Sequence, residues 1–396
     1  MTKNINNRIV CVIVFLITSI LLFAILSGKE SIKYKTVLLS KNGNFLFYNN
    51  PVGVKYKAGF LVSYLKRNGD VILKYIENGK VIKKIVVHSY NDIINSNVEG
   101  ADDHAAPAVI YDSFRNRVMV ATAYHGHPMY IYVVDIDKAL VSLFSEWNGY
   151  YTYPRFIKYG TNIILTARNQ NKNYEGDFVY RSSSDGFKNE HVIAHSGKNS
   201  VIYAGTPDIK KDDLYFTYST HSYLEKRLIG LNISRYNLKN NETISTCDLS
   251  QYLDKNYFSN RPTGLKIVGN EIFFGTSYFL SPVSYSSAES ENYSGVNTVK
   301  VFKGRLNDCE SIHVLHVNEN VSMPYYDVDV AINNKGKYLY FDQGEVVSND
   351  SYYGCFNQNN MMYPNYVDNV GVFYATMNER YSIRNFNNSI YGCVKQ

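Results

Sequence analysis

Charged side chains are scarce in this sequence. Asp, Glu, Lys and Arg make up 19% of its 396 residues, below the roughly 25% of an ordinary soluble domain. A disordered chain would be rich in charge and poor in aromatics, so disorder is excluded. The chain also lacks any block of Lys and Arg, and its net charge of +6 is spread thinly. That excludes the footprint of a nucleic-acid binder and leaves a mild positive bias suited to an acidic polymer. No Cys-x-x-Cys pair occurs among the five cysteines, which argues against a cysteine-built zinc site. After Ser27 no apolar run approaches a membrane span. Helical periodicity is missing too: Asp137–Trp147 comes closest and has room for a short helix.

Tyrosine is what the chain has in abundance. It carries 37 Tyr and 20 Phe against one Trp, which brings aromatics to 15%. Such residues, with Ile and Val, suit a pleated, half-buried surface and argue for an all-β protein over a helical bundle. Short β-type runs recur at Phe60–Tyr64, Val71–Tyr75, Val81–Val87, Arg117–Ala123, Met129–Val134, Asn162–Thr166, Phe178–Arg181, Asp213–Tyr218, Glu271–Gly275 and Lys337–Phe341. Turn signals separate them, among them Asn42-Gly43, Asn68-Gly69, Asn78-Gly79 and Asn334-Lys335-Gly336. The 368 residues from Lys29 onward are too many for one sandwich. At a repeat of about 50 residues they predict a β-propeller of about seven blades. Residues 281–300, rich in Ser, Tyr and Asn, read as a surface loop or an insertion between blades.

The N-terminus predicts the compartment. Ile9–Leu26 is an uncharged run of 18 residues preceded by Lys3 and Arg8, at the lower end of a membrane span. The expected organisation is a cytoplasmic tail (1–8), one N-terminal transmembrane helix serving as a signal-anchor (9–27), a linker with the first strand (28–44) and a propeller outside the cytoplasm (45–396). A cleaved signal peptide and a secreted body is the alternative. The lipid bilayer is then a partner through residues 9–27. For an exported body, Cys247, Cys309, Cys355 and Cys393 allow two disulfides in three connectivities. Cys355 with Cys393 is favoured because both lie in the C-terminal segment; free buried thiols are the other reading.

The chemistry-bearing stretch is Gly100-Ala101-Asp102-Asp103-His104-Ala105-Ala106-Pro107-Ala108, continuing to Tyr124-His125-Gly126-His127-Pro128. A strand pair between His104 and His125 returns the chain to one end of its blade, so the histidines can converge at one mouth. Asp102 and Asp103 fit the turn or the orientation of His104. The string D-D-H-x-x-P-A, then a strand and a second His, resembles the BNR-repeat propeller family that includes the ulvan-type polysaccharide lyases. Asn50-Pro51 with Gly59–Tyr64, Thr152-Tyr153-Pro154 with Thr166-Ala167-Arg168, and Tyr203 with Asp208 resemble successive blades of that family. Ser182-Ser183-Ser184-Asp185-Gly186-Phe187 resembles a degenerate Asp-box, which speaks to fold rather than activity. The resemblance covers about residues 45–225.

It implies a lyase that cleaves a uronic-acid glycan by β-elimination. Such a reaction needs a base near neutral pKa, an acid for the leaving oxygen, and a cation at the carboxylate. On this resemblance His104 and His125 act at the site, Tyr153 relays a proton and Arg168 neutralises the carboxylate. Tyr203, His127, His221 and Asp103 are the candidate substrate-binding residues. The remaining histidines, His88, His191, His195, His313 and His316, read as structural or surface groups. No cofactor or metal is assigned, and the expected partner is an acidic polysaccharide or another cell-envelope glycan. Ala105 departs from the family pattern, which has Asn after the histidine. Two competing readings are a non-catalytic propeller that binds glycan on tyrosine faces and a sialidase-like glycoside hydrolase. The latter needs a carboxylate pair that the sequence does not single out.

Overall fold

A computed structural model of the protein describes residues 34–43, 52–94, 105–124, 126–170, 175–225, 227–257, 259–279, 295–323, 328–342, 345–350, 355–358, 361–367, 370–382 and 385–395. Tight turns between β-branched and aromatic runs make it almost entirely strand. At the hairpin turn Asn78-Gly79 both residues have positive φ, 49° and 69°. That is the geometry a two-residue turn needs to match the twist of its strands.

Among the described residues the strands fall into seven blade-like groups. The first strand, β1 (Tyr34–Gly43), belongs to the last group. The first group holds β2 (Val52–Tyr56), β3 (Gly59–Leu65), β4 (Asp70–Glu77) and β5 (Lys80–Ser89). The second holds β6 (Ala108–Asp112), β7 (Arg117–Ala123), β8 (His127–Asp135) and the first half of β9 (Leu140–Tyr159). The second half of β9 opens the third group, with β10 (Asn162–Gln170), β11 (Gly176–Ser182) and β12 (His191–Ala194). The fourth holds β13 (Ser200–Ala204), β14 (Asp208–Lys210), β15 (Asp213–Ser222), β16 (Arg227–Asn237) and β17 (Glu242–Asp248). The fifth holds β18 (Ser259–Val268), β19 (Glu271–Phe279), β20 (Gly295–Arg305) and β21 (His313–Met323). The sixth holds β22 (Ala331–Ile332), β23 (Tyr338–Asp342) and β24 (Glu345–Ser348). In the seventh, β25 (Met361–Val367), β26 (Gly371–Ser382) and β27 (Asn385–Lys395) are completed by β1, which pairs with β27 from Tyr34↔Lys395 to Gly43↔Asn388.

Each group packs on the next, and the seventh meets the first through β25 and β2, so the ring closes. The N-terminal strand thereby locks the C-terminal blade. Blades adhere through buried apolar faces, such as Phe60, Val62 and Ile72 against Phe373 and Ala375. Polar stitches join them too: Thr217 Oγ1 donates to Thr263 O at 2.9 Å, and Leu265 N to Thr206 O at 2.9 Å. The Asp-box resemblance falls on a turn of the third blade. Asp185 accepts from Lys188 N and Asn189 N, and buried Phe187 packs against Trp147 and Phe156. Strand alternation sorts the turns: Lys57-Ala58, Asn78-Gly79, 113–116 and 136–139 lie on one face of the ring. The turn 66–69, Tyr124, Gly126 and the strand ends Gln170 and Ser222 lie on the other.

Three expectations meet the structure here. Residues 140–147 are not helical but form the outer half of β9, paired with β8 from Asp135↔Leu140 to Met129↔Trp147. Within 281–300, residues 295–300 belong to β20, and the rest lie outside the described residues. Two disulfides are present, Cys355–Cys393 and Cys247–Cys309, with Cα separations of 5.4 and 5.9 Å. The expected tail and membrane span (1–27) lie outside the described residues, among which no helix is long and apolar enough to cross a membrane.

Candidate functional site

The innermost strands line a central channel of about 1220 Å3, its open mouth included, and Tyr153, Arg155, Arg168, Thr206, Pro262 and Asp329 are among its walls. Tyr153 is placed there by an irregularity in β9. Thr166 pairs with Arg155 and Arg168 with Thr152, so Tyr153 and Pro154 together oppose Ala167. Such a bulge re-aims a side chain, and a proline, having no N–H to donate, suits it. Tyr153 sits at φ 59°, a left-handed conformation uncommon outside glycine and often found at functional sites.

Arg168 is the centre of the arrangement. It is only 3% exposed, and its Cζ lies 4.8 Å from the ring centroids of both Tyr153 and Tyr203. The two rings are 5.9 Å apart. The guanidinium donates to Tyr203, while its buried Nε and Nη1 donate to no group among the described residues. Leaving such donors unsatisfied costs on the order of 1–3 kcal/mol or more for a charged group. Gly176 makes the space for that side chain: a Cβ there would lie 2.7 Å from Val201 Cγ1 and 3.3 Å from Arg168 Cδ.

A second arginine, Arg261 at the start of β18, is 5% exposed with Cζ 5.6 Å from the Tyr203 ring. Thr276 Oγ1 donates to Arg261 O at 2.8 Å and fixes its backbone. His221 lies on the far side of Tyr203, with ring centroids 6.0 Å apart, and 4.9 Å from Tyr223. Burial, then the positive fields of Arg168 and Arg261, pull its imidazole down to about 4. It is neutral near pH 7 and too weakly basic to take up a proton there.

The structure thus brings together four of the five sequence-predicted residues with described positions: Tyr153, Arg168, Tyr203 and His221 gather, and His127 stands apart. His127 opens β8, donates its N–H to Tyr124 O at 2.8 Å and packs its ring on Tyr124 at 5.5 Å. His104, His125 and Asp103 lie outside the described residues. Their described neighbours Ala105, Tyr124 and Gly126 are on the same face as the mouth. Arg261 is absent from the sequence expectations. Its signal was the dipeptide Arg261-Pro262, which opens an inner strand just before a bulge between Pro262 and Leu265, much as Tyr153-Pro154 does. Among the described residues no group of three or more His, Cys, Asp and Glu is placed to hold a metal ion.

The closed ring of blades and the mouth at its channel define a β-propeller. Known structures agree on that fold. An ulvan lyase of polysaccharide lyase family PL25, solved free and bound to -[GlcA(1-4)Rha3S]-, superposes with a TM-score of 0.62 at 12% identity, covering 91% of this chain and 96% of the lyase. Raptor from Chaetomium thermophilum superposes at 0.50 with 8% identity, over 94% of this chain and 30% of its own. No protein-family model matches the chain, and no curated protein sequence matches it significantly.

Proposed function

We propose that this protein is a carbohydrate-active propeller of the lyase type, cleaving a uronic-acid glycan by β-elimination at the mouth of its channel. The observation that carries the reading is Arg168, a buried guanidinium held against two tyrosine rings in the wall of the channel. A planar carboxylate fits a guanidinium fork. Bound there, the carboxylate is held as negative charge builds on it when a base removes the proton on C5. The C5–H electron pair becomes the C4–C5 double bond, the C4–O bond breaks, and an acid protonates the leaving oxygen. Tyr153 and neutral His221 border that position, and Arg261 adds positive potential beyond Tyr203. His104 and His125 take the acid–base roles that the lyase resemblance gives them. Tyr203, itself buried, packs against both guanidiniums and positions them for the substrate.

The export of the body and its attachment to a membrane through residues 9–27 are part of the same reading, with a glycan of the cell envelope as substrate. A hydrolase of sialidase type is the second reading, and it requires a pair of carboxylates at the site. The test is incubation with alginate-, ulvan-, glucuronan- and glycosaminoglycan-type polymers, following absorbance of the unsaturated product. The reading expects product from one class and its loss in Arg168→Ala, by roughly 10²–10³-fold. A flat trace across all four, with binding retained on a glycan array, would instead make the protein a glycan-binding module.

A further inference from the structure

We infer that the propeller face opposite the candidate site is a docking surface for an anionic lipid bilayer. The inference rests on the reading of residues 9–27 as membrane-inserted, and adds to it which face meets the lipid. The first described strand enters at that face: Tyr34 pairs with Lys395, at the end of the ring where the turns Lys57-Ala58 and Asn78-Gly79 lie. Residues 27–33 separate the apolar run from Tyr34, a link that spans at most roughly 25 Å when fully extended. An anchored chain is therefore held with this face next to the bilayer.

The surface there has the chemistry that anionic headgroups favour. Lys35, Lys55, Lys57 and Lys80 are all exposed. They belong to one patch: a Cβ at Gly79 would sit 3.9 Å from the Lys35 side chain, and Lys35, Lys55 and Gly79 line one shallow pocket. Lys57 is paired with Asp137 at 3.1 Å; Lys35, Lys55 and Lys80 have no ion pair among the described residues. In the neighbouring blade, turn 113–116 presents Phe114 at 69% exposure with the Arg115 guanidinium 5.4 Å from its ring. Leu140, which opens β9 after the next turn on the same face, is 58% exposed. Most nearby acids are paired: Asp112 is held by Arg115 and Arg117, Asp135 by Lys138 and Asp137 by Lys57, while Glu77 faces Lys80 across the turn. Lysines flanking exposed apolar groups are suited to an interface of anionic headgroups and acyl chains. Docking this way leaves the mouth with Arg168 pointing away from the membrane, open to a long polymer.

The single tryptophan is fully buried, at Trp147, so an added one reports its own surroundings. The full chain is reconstituted in nanodiscs whose lipids carry brominated acyl chains, as Phe114→Trp or as Leu224→Trp. Leu224 is 81% exposed on the mouth face. The inference expects emission from Phe114→Trp to be quenched in phosphatidylglycerol discs and Leu224→Trp to stay bright. Replacing Lys35, Lys55 and Lys80 by Gln should lower the docked-to-free ratio roughly five-fold per lysine. Equal emission at the two positions in an inserted chain overturns the inference, as does quenching that ignores both lipid charge and the lysines. Shielding of Phe114→Trp that grows with protein concentration in lipid-free detergent overturns it in favour of a second copy. A chain that never enters the disc overturns the anchor reading itself, whereas the lyase assay is untouched by any of these results.

Discussion

Arg168 keeps a full charge where almost no solvent reaches it, with two rings as its nearest neighbours and two donors unspent. Stability alone would not select that arrangement, because an apolar side chain of similar volume avoids the desolvation. Arg168→Met is therefore expected to leave thermal stability unchanged or raise it by about 1–4 kcal/mol, while abolishing product formation. Paired denaturation and absorbance assays check both halves. His221 gives a pH signature. Its folded pKa of about 4 lies below the ordinary histidine value of 6.5, so the unfolded chain binds the extra proton first. Above pH 6.5 the group contributes nothing to pH dependence; between 6.5 and about 4 the fold loses stability as pH falls. The loss approaches about 3 kcal/mol and should disappear in His221→Gln, compared by urea denaturation at pH 7 and pH 4.5. Tyr153 and Arg168 were legible because a family resemblance, carried by Thr152-Tyr153-Pro154 and Thr166-Ala167-Arg168, marked them. Arg261 was not, since the dipeptide Arg261-Pro262 carries no family motif and gains its meaning only when the fold sets it beside Tyr203.

Strands carried their own evidence where turn and periodicity agreed. Asn78-Gly79 predicted a hairpin, and the chain turns there with both residues at positive φ. The outer half of β9 misled for a physical reason. Leu140, Leu143, Phe144 and Trp147 have the 3, 4 and 7 spacing of a helical face. In the fold Leu140, Leu143 and Phe144 are exposed on a blade edge, and Trp147 alone is fully buried. An edge strand free to show apolar groups need not alternate, and pairing with β8 overrides the helical pattern. The bulge at Tyr153 was equally hidden, because register is a property of two strands and not of one. Gly176 shows how closely the elements fit the site. Gly176→Ala should cost about 1–3 kcal/mol by crowding Val201 and, by pressing on Arg168, reduce kcat/KM more than a neutral surface change does. Thermal melts and the product assay on the same preparation separate the two effects.

Closure of the ring decides how the molecule as a whole responds to damage. β1 supplies the outer strand of the seventh blade, so the two ends of the chain hold each other. Cys355–Cys393 ties β27 to the segment before β25, and Cys247–Cys309 joins the outer edges of the fourth and fifth blades; they close separations of 38 and 62 residues. Replacing either pair by Ser should cost about 2–4 kcal/mol, read as a drop in denaturation midpoint that reducing agent reproduces in the parent chain. The number of blades followed from length and strand spacing, whereas the closing role of β1 did not, because nothing local marks a strand that pairs with a partner 350 residues away. The account stands or falls on whether the carboxylate of a sugar is what Arg168 holds. One polymer cleaved by the protein, tested beside its carboxyl-reduced form under identical conditions, decides this. The account predicts unsaturated product from the uronate polymer and none from the reduced one; equal cleavage of both would contradict it.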